Sequence, residues 1–349
     1  MVTIKDVAAI AGVSPSTVSR ILNGKSNAKQ TLDKVNKAIE RLKYKPNALA
    51  KGLKSKKTGI LALVVPDIGY PLFPELAKGV EKAAESFGYE VSIFNTTESV
   101  KRERECLERL VRGWVDGVIF CQVSRQSDNF LLLANRNIPL VLIDRVIEGV
   151  PVSVVLIDNV KAGYTATSHL VEFGHTKIGC ISGPSHILSS NERVLGYKMS
   201  LREHNLQIDN SLIVTGNHRI RSGYDAMNIL LNTHEGITAV FAGNDLMALG
   251  AIIAIKERGL AIPDDIAIIG FDDIPLGNLI EPSLSTMAQP VERMSFEAVR
   301  ILINQIKDKN STQERIVIEA DLVIRHSTQP GFNNTSKGID LVKELRSYY

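Results

Sequence analysis

Residues 3–22 read TIKDVAAIAGVSPSTVSRIL, and this stretch decides how the front of the chain folds. Ile4, Val7, Ala8 and Ala11 recur at the spacing of one helical face. Gly12-Val13-Ser14 interrupts that period. Ser14 is suited to cap a second helix, and Pro15 is acceptable at its first position. Val18, Ile21 and Leu22 give the second helix its apolar side, and Asn23-Gly24 closes it with residues that tolerate a left-handed backbone. Leu32, Val35, Ala38, Ile39 and Leu42 mark a third helix that stops before Lys45-Pro46. A helix, a tight turn and a capped second helix form a helix-turn-helix, whose second helix enters the major groove of DNA.

Charge supports the same reading. Residues 1–57 carry 13 Lys and Arg against 3 Asp and Glu, whereas the whole chain has a net charge of only +3. A basic head on an acidic body implies a polyanionic partner for the head alone. On the second helix, Pro15, Ser16, Thr17, Ser19 and Arg20 are the candidates for base contact. Arg20 suits guanine O6 and N7, and Pro15 offers only apolar contact. Thr17 and Ser19 stand equally as phosphate-contacting or packing residues. Lys5, Lys29 and Lys34 are expected near phosphates, where they add affinity without sequence information.

Residues 46–58 are basic and too poor in apolar groups to bury themselves, so they read as a linker that becomes helical only with outside support. From residue 59 the text alternates strands and helices. Apolar runs at 59–65, 89–94, 117–121, 139–143, 153–157, 177–182, 239–242 and 265–270 are each expected to form a strand. Helical segments such as 74–87, 99–112, 160–173, 192–204 and 246–258 lie between most of them. Continuous apolar strands of this kind belong to parallel sheets covered on both faces. The fold class is α/β, with two doubly wound lobes behind a three-helix head. The expected domains are a helix-turn-helix at 1–45, a hinge at 46–58, a body at 59–333 and a polar tail at 334–349. Within the body, lobe 1 is expected at 59–158 and 287–315, and lobe 2 at 159–286 and 316–333.

Several classes are disfavoured. No run of 18 apolar residues exists, so no membrane span is expected. The N-terminus lacks a secretory pattern, and three unpaired cysteines fit a reduced, cytoplasmic protein. Asn23-Gly24-Lys25-Ser26 is similar to the end of a phosphate-binding loop, but Ser19 occupies the place of its first glycine. There is no Gly-x-Gly-x-x-Gly or His-Glu-x-x-His, and the seven histidines have no metal spacing. An enzyme, a metal and a cofactor are therefore not expected. A secreted sugar-binding protein would share the two-lobed body but not the basic head. An architectural DNA binder would not need so large a body.

Thr3-Ile4-Lys5-Asp6-Val7-Ala8, Gly12-Val13-Ser14, Thr17-Val18-Ser19-Arg20 and Leu22-Asn23 resemble the opening signature of the LacI/GalR family of bacterial transcription regulators. Tyr44-Lys45-Pro46-Asn47-Ala48 and Ala50-Lys51-Gly52-Leu53 resemble that family's hinge. Gly174-His175, Gly196-Tyr197, Gly243-Asn244-Asp245 and Ile269-Gly270-Phe271-Asp272-Asp273 extend the similarity through the body, to about residue 328. The resemblance implies a body like the periplasmic binding proteins. It adds Thr3, Asn23, Asn47 and Ala50 to the DNA contacts, with Leu53 wedged between bases from the minor groove and Lys54 beside it. Gly52 departs from the pattern and weakens the hinge as a helix by roughly 1 kcal/mol.

The carboxyl ends of the strands carry Asp67, Asp144-Arg145, Asp158, Asn244-Asp245 and Asp272-Asp273, where open α/β sheets bind ligands. The resemblance assigns Arg193, Asn244, Asp272 and Gln289 to the effector, with Asp144 at the cleft edge and Phe73 lining the pocket. His218 stands where purine-responsive members carry an aromatic, and Ile187 where they carry an arginine, so a sugar or sugar phosphate is expected over a purine. Asp158, Asp245 and Asp273 stand equally as helix caps. The expected partners are double-stranded operator DNA, a sugar-like effector and a second copy of the chain. Repression is the expected output, and a protein co-effector stays open.

Overall fold

The computed structural model describes residues 2–22, 28–44, 57–112, 115–123, 133, 136–145, 152–308 and 310–329, and it divides into two units, Met1–Gly59 and Ile60–Tyr349. In the first unit, α1 (Ile4–Ala11), α2 (Pro15–Leu22) and α3 (Lys29–Leu42) enclose a small core of Val7, Ala8, Ala11, Val18, Ile21, Val35 and Ala38. The Thr3 backbone N–H and hydroxyl each donate to the Asp6 carboxylate at 2.8 Å, which secures the start of α1. Gly12 ends α1 at φ 65°, a conformation that only glycine adopts without cost. Ser14 Oγ then accepts from the Thr17 N–H at 3.2 Å, the expected cap of α2. The expected closure by Asn23-Gly24 lies outside the described residues, as do the hinge residues 46–56 and the tail.

The second unit contains two six-stranded sheets. Its strands, in chain order, are β1 (Ile60–Val65), β2 (Glu90–Asn95), β3 (Gly117–Phe120), β4 (Leu140–Ile143), β5 (Ser153–Ile157), β6 (Ile178–Ser182), β7 (Ile213–Thr215), β8 (Ala239–Ala242), β9 (Ala267–Asp272), β10 (Ser285–Ala288), β11 (Arg315–Ile318) and β12 (Asp321–Val323). The first sheet has the order β11-β5-β4-β3-β1-β2 and is parallel throughout. The second has the order β12-β10-β9-β8-β6-β7, with β12 alone antiparallel to its neighbour. The central strands are buried along almost their whole length, because helices cover both faces. Those helices are α4 (Leu72–Ser86), α5 (Val100–Leu110), α6 (Asn159–Glu172), α7 (Leu188–Glu203), α8 (Ile220–Thr233), α9 (Asp245–Glu257), α10 (Pro275–Leu279) and α11 (Val291–Lys307). Among the described residues, no helix is long and apolar enough to cross a membrane.

The chain passes between the lobes three times: after Ile157, between Ala288 and Val291, and between Ile318 and Asp321. The second and third passages fall two and three residues later than the expected boundaries at 286/287 and 315/316. Strand pairing decides this, since Ala288 is still registered with Asp272, and Ile318 with Ile157.

α6 and α7 cross at two glycines. A Cβ on Gly163 would lie 2.3 Å from the Arg193 carbonyl oxygen, and one on Gly196 would lie 2.1 Å from that of Val160. This contact brings α7, and with it Arg193, up to the mouth of the second sheet.

Candidate nucleic-acid interface and ligand cleft

In the head, α2 exposes Pro15, Ser16 and Arg20, with Thr17 and Ser19 half-buried. The Ser16 and Thr17 hydroxyls lie 2.7 and 2.9 Å from Ser14 Oγ, so the cap of the helix already engages both. Arg20 remains the long cationic donor on that face. Lys5, Lys29 and Lys34 are exposed on α1 and α3. Thr3 is exposed too, with its hydroxyl committed to Asp6. Asn23, Asn47, Ala50, Leu53 and Lys54 lie outside the described residues.

In the body, Phe73, Asp144, Arg193, His218, Asp272 and Gln289 line one pocket at the carboxyl ends of the strands. Asn244 is the expected residue that does not line it. Asn244 is fully buried behind the wall, where its Oδ1 caps α9 through the Met247 N–H at 2.9 Å. Its Nδ2 donates to the Tyr70 hydroxyl at 2.9 Å and to the His218 carbonyl at 3.2 Å. Asp144, His218 and Asp272 have positive φ of 66°, 65° and 109°, strained backbone of the kind that collects at functional sites.

Asp272 ends β9 in the centre of the site and is 5% exposed. Gln289 Nε2 donates to it at 2.6 Å, Tyr70 donates to its other oxygen, and Arg193 Nη1 stands 3.9 Å away. Burial pushes the Asp272 carboxyl up to about 6, against the opposing pull of the Arg193 charge. Arg193 is fixed by four contacts in all. Besides Asp272, it donates to the Gly243 carbonyl at 2.6 Å and to Asn159 Oδ1 at 2.9 Å, and its guanidinium lies 3.5 Å above the Phe271 ring. Such an arginine cannot swing away and is preorganised for a polar ligand.

His218 sits 3.3 Å from Ser190 Oγ. Burial, together with the charges of Arg193, Arg145 and Arg219, lowers its pKa to about 3, so the ring stays neutral. On the cavity wall, the buried Gln289 Oε1 and Arg145 Nε, an acceptor and a donor, have no hydrogen-bond partner among the described residues, although Arg145 Nε lies 3.7 Å from Asp144 Oδ2. Unsatisfied buried groups are costly, and a ligand that pairs with them recovers that cost.

Tyr70, Glu98, Ser189 and Arg219 also line the cavity and are absent from the expected set. The signals for two of them are weak but present. Tyr70 closes the Pro66-Asp67-Ile68-Gly69 turn at the carboxyl end of β1, and Glu98 follows the end of β2. Of the residues with a capping alternative, Asp158 does cap α6 through the Lys161 N–H at 2.9 Å. Asp245 instead accepts from the Ile274 N–H at 2.8 Å and from the Thr286 hydroxyl at 2.7 Å, and Asp273 pairs with Arg325 at 2.7 Å.

Residues 3–47 match the family of bacterial regulatory proteins, lacI family, and residues 167–328 match a periplasmic binding protein-like domain. The chain is 38% identical over 336 residues to the ribose operon repressor of Halalkalibacterium halodurans, covering 96% of this chain and 99% of that one. Among solved structures, the complex of the transcriptional regulator CelR with cellobiose superposes with a TM-score of 0.74 at 32% identity, covering 94% and 100% of the two chains. The lac repressor dimer bound to operator and the anti-inducer ONPF superposes with a TM-score of 0.85 at 27% identity, covering 94% and 99%.

Proposed function

Because this chain belongs to the LacI family of bacterial regulatory proteins, we propose that it binds operator DNA in the cytoplasm as a homodimer and is controlled by a sugar-like effector held between its lobes. It is a DNA-binding transcriptional regulator and not an enzyme. Each head lays α2 in a major groove, with Arg20 reading a guanine and Lys5, Lys29 and Lys34 on phosphates. Leu53 and Lys54 of the hinge work in the minor groove between the two heads. The effector changes the angle between the lobes and so the spacing of the paired heads. Coupling of this kind is typically 1–3 kcal/mol and reciprocal.

The observation that carries the effector reading is the Arg193–Asp272–Gln289 constellation, with Gln289 Oε1 buried and unsatisfied in the same wall. A carboxylate, a guanidinium and an amide converging on one cavity suit adjacent hydroxyls, each of which donates and accepts. A purine gains less here. His218 offers no large aromatic face for stacking, and Ile187 no guanidinium.

The test is a thermal-shift screen of the full chain against pentoses, hexoses, disaccharides, sugar phosphates and purine bases. A bound effector at about 100 times its Kd contributes about 2.7 kcal/mol, enough for a rise of several degrees in Tm. A response to purines alone would overturn the sugar reading. For the DNA side, Arg20→Ala is expected to weaken operator binding about 5- to 150-fold, from the roughly 1–3 kcal/mol of a bidentate base contact. Binding to random duplex should fall far less, and an equal loss on both removes Arg20 from base readout.

A further inference from the structure

Tyr70 belongs to the first lobe, on the turn after β1, yet its hydroxyl is held by two groups of the second. It donates to the Asp272 carboxylate and accepts from Asn244 Nδ2 at 2.9 Å. Its ring is tilted against Phe73, with the centroids 5.7 Å apart. A phenol that gives its proton to a carboxylate and takes one from an amide uses the two contacts that a ligand hydroxyl would use. We propose that Tyr70 is an internal ligand, whose phenol fills the hydroxyl position of the effector cleft and holds the lobes together until a ligand hydroxyl displaces it. The inference rests on the reading of Asp272 and its neighbours as the effector site.

Three observations bear on it. First, Asp272 and Asn244 are almost wholly buried, so without the phenol each would lose a partner where water is scarce. Second, burial, reinforced by the Asp272 charge, holds the Tyr70 phenol well above its ordinary value, so it keeps the proton it donates. Third, a further tie spans the same opening: Arg219 of the second lobe lies 2.5 Å from Asp67 and 3.5 Å from Glu98 of the first. That tie is partly exposed, and solvent and salt weaken it. The half-buried Tyr70 phenol, bonded to two buried groups, is the less screened closure.

An effector must then present a hydroxyl that replaces the phenol on Asp272 and Asn244, and the ring must leave. A cleft whose competent form is only partly populated binds with an apparent affinity reduced by that fraction.

Tyr70→Phe keeps the ring and removes only the hydroxyl. In the full chain without ligand, amide hydrogen exchange of this variant is expected to be at least about tenfold faster on both sides of the cleft, the loss of the charge-assisted bond to Asp272 and of the bond from Asn244. The segments to follow are 67–73 and 217–222. The second is tied to the first lobe through Arg219, and its internal hydrogen bonds, from the Arg219 N–H to Asn217 Oδ1 and from the Asn217 N–H to Ser222 Oγ, do not involve Tyr70. With D-ribose, D-glucose or cellobiose, whichever the unmodified chain binds, the variant is expected to bind about tenfold more tightly. Unchanged exchange at 217–222, or affinity equal to or weaker than that of the unmodified chain, overturns the proposal. If none of the three sugars binds, the effector reading fails on that count, and the exchange result still decides the latch.

Discussion

Asp272→Ala should abolish the response to effector while operator binding without effector persists. The carboxylate is the acceptor shared by Gln289 and Tyr70, and it faces Arg193 in a buried setting. Hydrogen bonds to a charged group are worth about 1.5–3 kcal/mol each, so losing two ligand bonds to Asp272 weakens binding by a factor of about 100 or more. Titration calorimetry with the effector found in the thermal screen, beside an operator-binding assay, reads both quantities. A retained response removes Asp272 from the site.

The same residue sets a pH window. Its folded pKa, about 6, lies above the ordinary value of 3.8 because burial disfavours the charge. The stability tied to this group is therefore full below about pH 4 and is lost as pH rises through 6. An effector that hydrogen-bonds the ionised form offsets that loss, so its gain in Tm should be larger at pH 7.5 than at pH 5.5. Binding should weaken by about tenfold for each pH unit well below 6. His218 does not account for this window, since its pKa of about 3 leaves it neutral throughout. Asp272→Asn should flatten the profile.

Gly163→Ala should be among the damaging single methyls in the body. The added carbon meets the Arg193 carbonyl at 2.3 Å, and the backbone there has no flexible side chain that could give way. Overpacking of a tight contact costs typically 1–3 kcal/mol, and a backbone clash belongs at or above the upper end. Because α7 carries Arg193, the shift should cost effector affinity as well as stability. Thermal melting beside effector titration separates the two, and a variant with parental Tm and affinity would show that the helices can part freely.

Much of this molecule is legible in its sequence because local chemistry and global fold agree. Ser14, Gly12 and the Val7–Val18–Val35 pattern define the head through caps and periodicity alone. The parallel strands announce themselves as unbroken apolar runs. β10 does not, since its residues 285–288 read Ser-Thr-Met-Ala and look like a loop. The strand is possible because the Ser285 hydroxyl donates to the Arg325 carbonyl at 3.0 Å and that of Thr286 to Asp245 at 2.7 Å, contacts made with residues about 40 positions away. β7, β11 and β12 are three or four residues long and lie at sheet edges, too short for a period to emerge. The cleft divides in the same way. Arg193, Asp272 and Gln289 carry a recognisable pattern. Tyr70 and Arg219 acquire their meaning only when the fold brings together residues 202 and 152 positions apart.

The three passages of the chain between the lobes leave from strands that are hydrogen-bonded neighbours on each side, β5 beside β11 and β10 beside β12. Three covalent spans set side by side behave like the spine of a book. Sliding or twisting one cover against the other stretches at least one span, and only the angle of opening stays soft. Whatever molecule enters the cleft, its chemical identity is reduced to that single angle before it can reach the duplex. Selectivity for the small molecule must therefore be complete inside the cleft, and the heads can be exchanged for others without rewriting the message they receive.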